Sequence, residues 1–302
     1  MTGSRITHKR KNSKEDIILD IIKVVFLALV TIVTLYPFWN IFVISLNDAT
    51  DAIRGNIYFW PRIFSIESYK NILTRADFLN SVKVTVARTA IGTPLAVIVT
   101  SMLAYVLSRK ELVGKKFITI IFIFTMYFGG GLVPYYMVLK NVHLTNNFLV
   151  FIIPSLVSVY NMILVKAYIE SMPEEIFEAA KIDGANDLKI YAKMIIPLSK
   201  PILMTIGLFV AVGQWNSWFD AYLYTSDQNL KTMQSILVEI LNQYQMGDTT
   251  SEQMSNAAAG MVVTPDSIRM AATMVATIPI ILIYPFIQKY FVKGIMLGAV
   301  KS

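Results

Sequence analysis

Apolar residues along this chain fall into six long runs separated by polar stretches, a pattern that predicts an all-helical membrane protein. A hydrocarbon core of about 30 Å needs about 20 apolar residues in a helix. Residues 17–46, 81–107, 117–139, 148–168, 202–224 and 268–290 each meet that length. The first run follows a basic head but is far longer than a signal-peptide core of roughly 7 to 15 residues, and no small-x-small cleavage site follows it. It reads as a retained span, with Tyr36-Pro-Phe-Trp39 marking a kink and an interfacial aromatic cluster near its far end. Residues 47–78 are mixed and aromatic-flecked, which reads as an outer loop with interfacial helices. The third run is interrupted by Gly129, Gly130, Gly131 and Pro134. Two readings of that break stand: freed backbone lining a pathway at depth, or a helix end at the membrane surface. Residues 225–267 hold no apolar run long enough to cross.

Composition agrees with the pattern. Of 302 residues, 55% are hydrophobic and only 16% charged, outside the range of soluble domains. The chain has no Cys and two His, which removes disulfides, thiolate chemistry and a His-rich metal cluster. A net charge of +7 would point to nucleic acid in a soluble protein; in a membrane protein it sets topology, and no nucleic-acid partner is expected. Arg109, Lys110, Lys115 and Lys116 crowd the loop between the second and third runs, and most other Lys and Arg lie in the head, the tail and the loop after the fourth run. Those segments are expected on the cytoplasmic side, with Arg54, Arg62, Lys70 and Arg75 of the first outer loop running against the trend. The expected organisation is a cytoplasmic head at 1–16, a six-span domain at 17–291 and a cytoplasmic tail at 292–302, in a plasma membrane.

Residues 168–201 form a polar island between the fourth and fifth runs. Ser171 followed by Glu174 reads as a capping box, with Pro173 and three carboxylates, Glu174, Glu175 and Glu178, toward the positive end of a helix. Gly184 stands where a left-handed C-cap would end that helix, and Asn186 or Asp187 would cap a second one stopping before Pro197. Ala179 and Ala180 beside Ile176 and Phe177 read as a docking side, small enough for close approach. An amphipathic helix lying flat on lipid is the other reading.

Glu178-Ala-Ala-Lys-Ile-Asp-Gly-Ala185 followed by Met194-Ile-Ile-Pro197 resembles the EAA loop, 171–201 here, of ATP-binding-cassette (ABC) importer permeases. Tyr127-Phe-Gly-Gly-Gly-Leu-Val-Pro134, Gly213-Gln-Trp-Asn-Ser-Trp-Phe219 and the end from Tyr284 to Gly294, with its Gly-Ala-Val-Lys finish, extend the resemblance. They are similar to carbohydrate-uptake permeases of the MalG type, and within them to the LplC-like branch common in Gram-positive bacteria. The resemblance implies the type I importer permease fold, with a coupling helix between spans 4 and 5 seated on a separate ATPase. It places Glu178, Ala179, Ala180, Asp183, Gly184 and Pro197 in the ATPase-coupling loop. It also implies a second, different permease, two ATPase subunits holding Mg-ATP, an extracellular solute-binding lipoprotein and an oligosaccharide substrate, with no cofactor on this chain and the tail reaching between the ATPases.

The residues themselves are consistent with that picture. There is no G-x-x-x-x-G-K-[ST], so this chain is not its own ATPase, and no H-E-x-x-H or G-x-S-x-G marks it as an enzyme. Trp215, Asn216, Trp218, Tyr222 and Gly130 are the candidate translocation-path residues: amides bond sugar hydroxyls, and aromatic faces stack on pyranose rings. Trp215 and Trp218, three apart, are expected on one side of one helix, either in the pore or as belt anchors. Asp220 reads as an outer-surface charge, with a pathway role as the other reading. The alternative functions are an ABC importer permease for another solute class and, after it, an ion-coupled transporter, but the latter needs ionisable ligands at mid-span, and apart from Arg88 the span centres hold almost none.

Overall fold

A computed structural model describes residues 14–245 and 264–299, and the expected basic head at 1–13 lies outside them. Among these residues regular structure is helical apart from one isolated antiparallel bridge, Asn47 to Phe64. Two compact units divide the described residues, 14–69 with 264–274 and 70–245 with 275–299.

The first unit is dominated by α1 (Lys14–Ser45), 32 residues with Pro37 inside. At about 1.5 Å per residue such a helix exceeds the hydrocarbon thickness. Its large apolar side chains from Ile17 to Phe38 are exposed, as they are on a helix solvated by lipid or by another membrane chain. The short α2 (Ala49–Ala52) is capped by Asp48, whose carboxylate accepts from the Thr50 and Asp51 amides. Asp51 then ties the loop: it accepts from Asn47 Nδ2 and from Arg62 Nε, each at 3.0 Å. Those bonds, Asn47 first, hold its carboxyl below the usual range. The aromatic cluster expected near the end of the first run forms, with Trp39 Nε1 donating to Phe59 O at 3.0 Å and its ring edge-on to Trp60.

Beyond α3 (Glu67–Thr74), the second unit is organised around α4 (Ala76–Ser108), which packs along both α7 and α11. The chain continues through α5 (Lys115–Tyr127) and α6 (Leu132–Asn141), bent by 116° across the glycine break. Two 3-10 turns (Phe148–Phe151 and Ile153–Ser155) precede α7 (Val159–Glu170), followed by α8 (Glu175–Ile182) and α9 (Asp187–Ile190). A π turn (Tyr191–Ile195) and α10 (Ile196–Leu198) lead through an 82° bend into α11 (Lys200–Asn216). After these come α12 (Phe219–Tyr224), α13 (Met233–Gln245) and α14 (Pro265–Ala299). The core between α4, α7, α8 and α11 is fully closed at Ala104, Met162, Val165 and Ile206; the small Ala104 lets α4 lie close to its neighbours.

Three described helices are long and apolar enough to cross a membrane, or six if each of three bent pairs is one span. The expected runs correspond to these helices with differences of physical origin. The second island helix does not stop before Pro197. The π turn widens the backbone ahead of the proline, which sits in the first turn of α10 and has no N–H to satisfy there. The expected fifth span, 202–224, breaks at Ser217, whose extended backbone ends α11. The sixth run continues as helix to Ala299, past the boundary expected at 291. The polar stretch after the fifth run also folds against the bundle: the Met233 amide, at the start of α13, donates to Thr85 Oγ1 of α4 at 2.9 Å.

Candidate functional site

The island loop is held in shape by local bonds and by a neighbouring loop. At the end of α8, Gly184 takes φ +71°, and the Gly184 and Ala185 amides donate to Lys181 O and Ala180 O at 3.0 Å, the paired bonds of a glycine C-cap. Asn186, rather than Asp187, caps α9, accepting from the Lys189 amide at 2.9 Å. The expected capping box does not form. Ser171 instead closes α7, its hydroxyl donating to Tyr168 O, and the Glu174 carboxylate turns outward to Lys110. The expected docking side also divides. Phe177 and Ala180 are buried in the core, whereas Glu175, Glu178 and Ala179 face outward beside Ile182, 85% exposed. Asp183, Gly184 and Pro197 are exposed as well.

What sequence reasoning missed is the clamp that the 109–115 loop places on α8. Glu111 accepts from Lys181 Nζ at 2.6 Å, Lys110 pairs with Glu174, and Lys115 bonds Glu170 at 2.8 Å. Arg109 lies over the rings of Tyr105 and Phe177, 5.6 and 5.4 Å from their centroids. Deeper in, Tyr105 Oη donates to Asp187 Oδ1 and Tyr191 Oη bonds Ser101 Oγ, so α4 itself grips the loop. The charged loop had a visible sign, but its partners lie 55 to 70 residues away.

The Lys181 hydrogen bond holds the Glu111 carboxyl down to about 2. A depressed carboxyl contributes above its ordinary range and loses that contribution as pH falls toward its folded value. The clamp therefore stays intact from neutral pH down to pH 5 and weakens only well below that. Both groups are exposed, so the pair is worth little individually. We expect Lys181→Glu to speed amide hydrogen exchange across α8 by about two- to fivefold, more at low salt, and the exchanged pair Glu111→Lys with Lys181→Glu to restore the protection. Equal loss in the exchanged pair shows that the clamp does not position α8.

The second constellation lies where α4 meets the α11 break. Arg88, 2% exposed, donates through Nη1 and Nη2 to the two oxygens of Asp220 and through Nε to Gln214 Oε1 at 2.8 Å. Gln214 in turn donates to Phe151 O at 3.1 Å and Ser155 Oγ at 2.7 Å. Gly92 makes room for this: a Cβ there would stand 3.1 Å from Gln214 Nε2 and 3.2 Å from Ile152 Cδ1. Asp220 is thus the partner of the buried Arg88 and not a solitary outer-surface charge, because an unpaired guanidinium at that depth would be far costlier. A cleft of about 380 Å³ borders the clamp, and an open cleft of about 570 Å³ borders the Arg88 network, lined by α4, the 3-10 segment, α7 and the α11 break.

The candidate path residues are not gathered in one place. Trp215 and Trp218 do not share a helix, since Ser217 ends α11 and Trp218 precedes α12. Trp215 Nε1 donates to Ala276 O at 3.0 Å, and its ring lines a small apolar cavity with Val212, Pro279 and Ile283. Trp218 stands edge-on to Phe219 with Tyr222 beside it, Tyr222 being 56% exposed. Asn216 accepts from Gln234 Nε2 at 3.3 Å. Gly130 lies exposed in the break between α5 and α6.

A long exposed apolar helix, a bundle of bent helices and a polar loop held by ion pairs define a helical membrane protein. The chain belongs to the family described as "Binding-protein-dependent transport system inner membrane component", whose model matches residues 79–297. It is 32% identical over 295 residues to Protein LplC of Bacillus subtilis, covering 98% of this chain and 99% of that one. To the polygalacturonan/rhamnogalacturonan transport system permease protein YtcP of Bacillus subtilis it is 35% identical over 279 residues, covering 92% and 96%. The fold matches a chain in the crystal structure of a bacterial ABC transporter involved in the import of the acidic polysaccharide alginate. There the TM-score is 0.83 at 29% identity, over 92% of this chain and 98% of that one. The protein is therefore a permease component of an ABC transporter.

Proposed function

We propose that this chain is one of two different permease subunits of an ATP-driven importer that moves an oligosaccharide delivered by an extracellular solute-binding lipoprotein. The observation that carries the reading is the outward face of α8, with Ala179 and Ile182 presented beside Glu175 and Glu178 on a helix braced from behind. A braced helix transmits force between subunits, whereas a helix floating on lipid needs no such bracing. In this reading the EAA loop docks on a cytoplasmic ATPase, Mg-ATP is bound on two such partners, and no cofactor is held here. The sugar comes from the relatives named for polygalacturonan and alginate.

The proposed topology has six spans, each bent pair counting as one, in a bacterial plasma membrane with both termini cytoplasmic. Because the chain has no Cys, single-cysteine labelling reads this directly. Cysteines at Lys115 and Asp187 are expected to react only after the membrane is opened, and one at Asn146 from outside. Positions 13 and 248, equally useful by sequence, lie outside the described residues. Outside labelling at Lys115 or Asp187 in intact cells contradicts the topology. The functional test is reconstitution with the partner permease, the ATPases and the lipoprotein: saccharide uptake must require both ATP and the lipoprotein.

A further inference from the structure

The Arg88 cleft contains polar groups that the fold itself leaves unused. Asn161, in the first turn of α7, is only 5% exposed and lines this cleft. Its backbone N–H donates weakly to Ser158 Oγ at 3.4 Å, but its side-chain amide has no hydrogen-bond partner among the described residues. Its polar atoms are not among the fully buried unpaired ones, so the amide opens onto the cleft, where water or a ligand satisfies it. Beside it, among the described residues, Ser158 Oγ donates to nothing and the half-exposed Tyr160 presents a ring and a phenol without a partner. Asp220 borders the same cleft, with its side chain 21% exposed.

Electrostatics narrows the ligand. Among the described residues Arg88 is the one cation lining the cleft, and its guanidinium is engaged by Asp220, Gln214 and Ser217 O. An incoming carboxylate would meet the Asp220 carboxylate with no free cation among the described residues to receive it. A sugar hydroxyl has no such difficulty, since it donates to Asp220 or Asn161 Oδ1 and accepts from Asn161 Nδ2 or the Ser158 hydroxyl. The Tyr160 ring supplies the apolar platform that a pyranose C–H face requires.

We propose that Asn161, Ser158, Tyr160 and Asp220 form a saccharide subsite of the translocation path that reads ring hydroxyls and not a carboxylate. This rests on the importer reading above and moves the sugar contacts away from Trp215 and Asn216. If the substrate is an acidic glycan, its carboxylates face elsewhere while its ring hydroxyls meet α7.

The test uses the whole complex in proteoliposomes, with radiolabelled stachyose, tri-galacturonic acid and the methyl ester of the latter as probes. For any probe the wild type imports, Asn161→Leu is expected to lower uptake by about tenfold. Binding to the isolated lipoprotein should be unchanged, and the Tm of the detergent-purified complex unchanged or raised, because Leu removes no side-chain hydrogen bond to the described residues. Tyr160→Ala, at a half-exposed position, should lower uptake by about fivefold with no change in Tm, and Tyr160→Phe should restore most of that loss. Wild-type uptake in both Asn161→Leu and Tyr160→Ala overturns the subsite while leaving the importer reading in place. A fall in Tm with Asn161→Leu together with unchanged uptake in Tyr160→Ala assigns Asn161 a structural role and also overturns it. A loss seen with tri-galacturonic acid but absent with its methyl ester shows that a carboxylate is read. Failure of the wild type to import any of the three probes removes the saccharide reading itself, and the subsite with it.

Discussion

Asp220→Ala is expected to destabilise the protein by about 3–5 kcal/mol, because it strands a guanidinium that is 2% exposed. The reciprocal variant should be milder. Arg88→Leu leaves an unpaired carboxylate, but the Asp220 side chain is 21% exposed and borders the open cleft, where water can solvate it. Asp220 also keeps its bonds from Ser217 Oγ and the Ala221 amide, each at 2.9 Å. Replacing both partners by Leu should recover much of the loss, since an apolar pair costs less than one buried charge alone. The predicted order of thermal stability in detergent is therefore wild type or double variant, then Arg88→Leu, then Asp220→Ala. A larger loss for Arg88→Leu than for Asp220→Ala would place the water access on the wrong side of the pair.

That ion pair also shows where sequence reasoning stops. The apolar runs locate the helices because a membrane span needs length and hydropathy, properties carried by every window of the chain. Gly184 and Asn186 were legible for a similar reason: a glycine C-cap and an Asx N-cap are local, decided within four residues. Arg88 and Asp220 are 132 residues apart, and nothing local marks either as the partner of the other. The same limit hid the clamp between Glu111 and Lys181. The capping box failed on a different ground. Ser171 and Glu174 have the right spacing, but Ser171 was claimed by the end of α7 and Glu174 by Lys110, so tertiary partners outbid a local motif. The helical pairing of Trp215 with Trp218 assumed an unbroken helix. Ser217 is extended, with its carbonyl accepting from Thr232 Oγ1 and Arg88 Nη1, and the polar Gln-Trp-Asn-Ser-Trp stretch accommodates that break. What reads as a sugar-binding sequence is in part the device that interrupts α11. Its Gln214 is wholly engaged in holding α4 to the 3-10 segment.

The second large effect is expected at the proposed docking face. Ala179 is exposed between the outward Glu175 and Ile182, whereas its neighbour Ala180 is buried, so the two alanines should differ sharply. Ala179→Trp leaves the fold of this chain intact, since the side chain projects outward, but it bars the close approach that a small residue permits. We expect it to lower substrate-stimulated ATP hydrolysis in the reconstituted complex by about tenfold or more, a loss of roughly 1.4 kcal/mol or greater at the interface. Ala180→Trp should instead reduce the amount of folded protein, because the core behind α8 has no room for the added volume. Glu178→Lys inverts one exposed charge without changing the helix and should give an intermediate loss of stimulation that shrinks as salt is raised. Gly184→Trp acts through the backbone: a Cβ there meets nothing within 4 Å, but φ +71° strains any L side chain by about 1–2 kcal/mol and so loosens the C-cap. Its loss should therefore not respond to salt. Unchanged stimulation in both Ala179→Trp and Glu178→Lys, with the complex assembled, would show that this face of α8 is not what the ATPase touches.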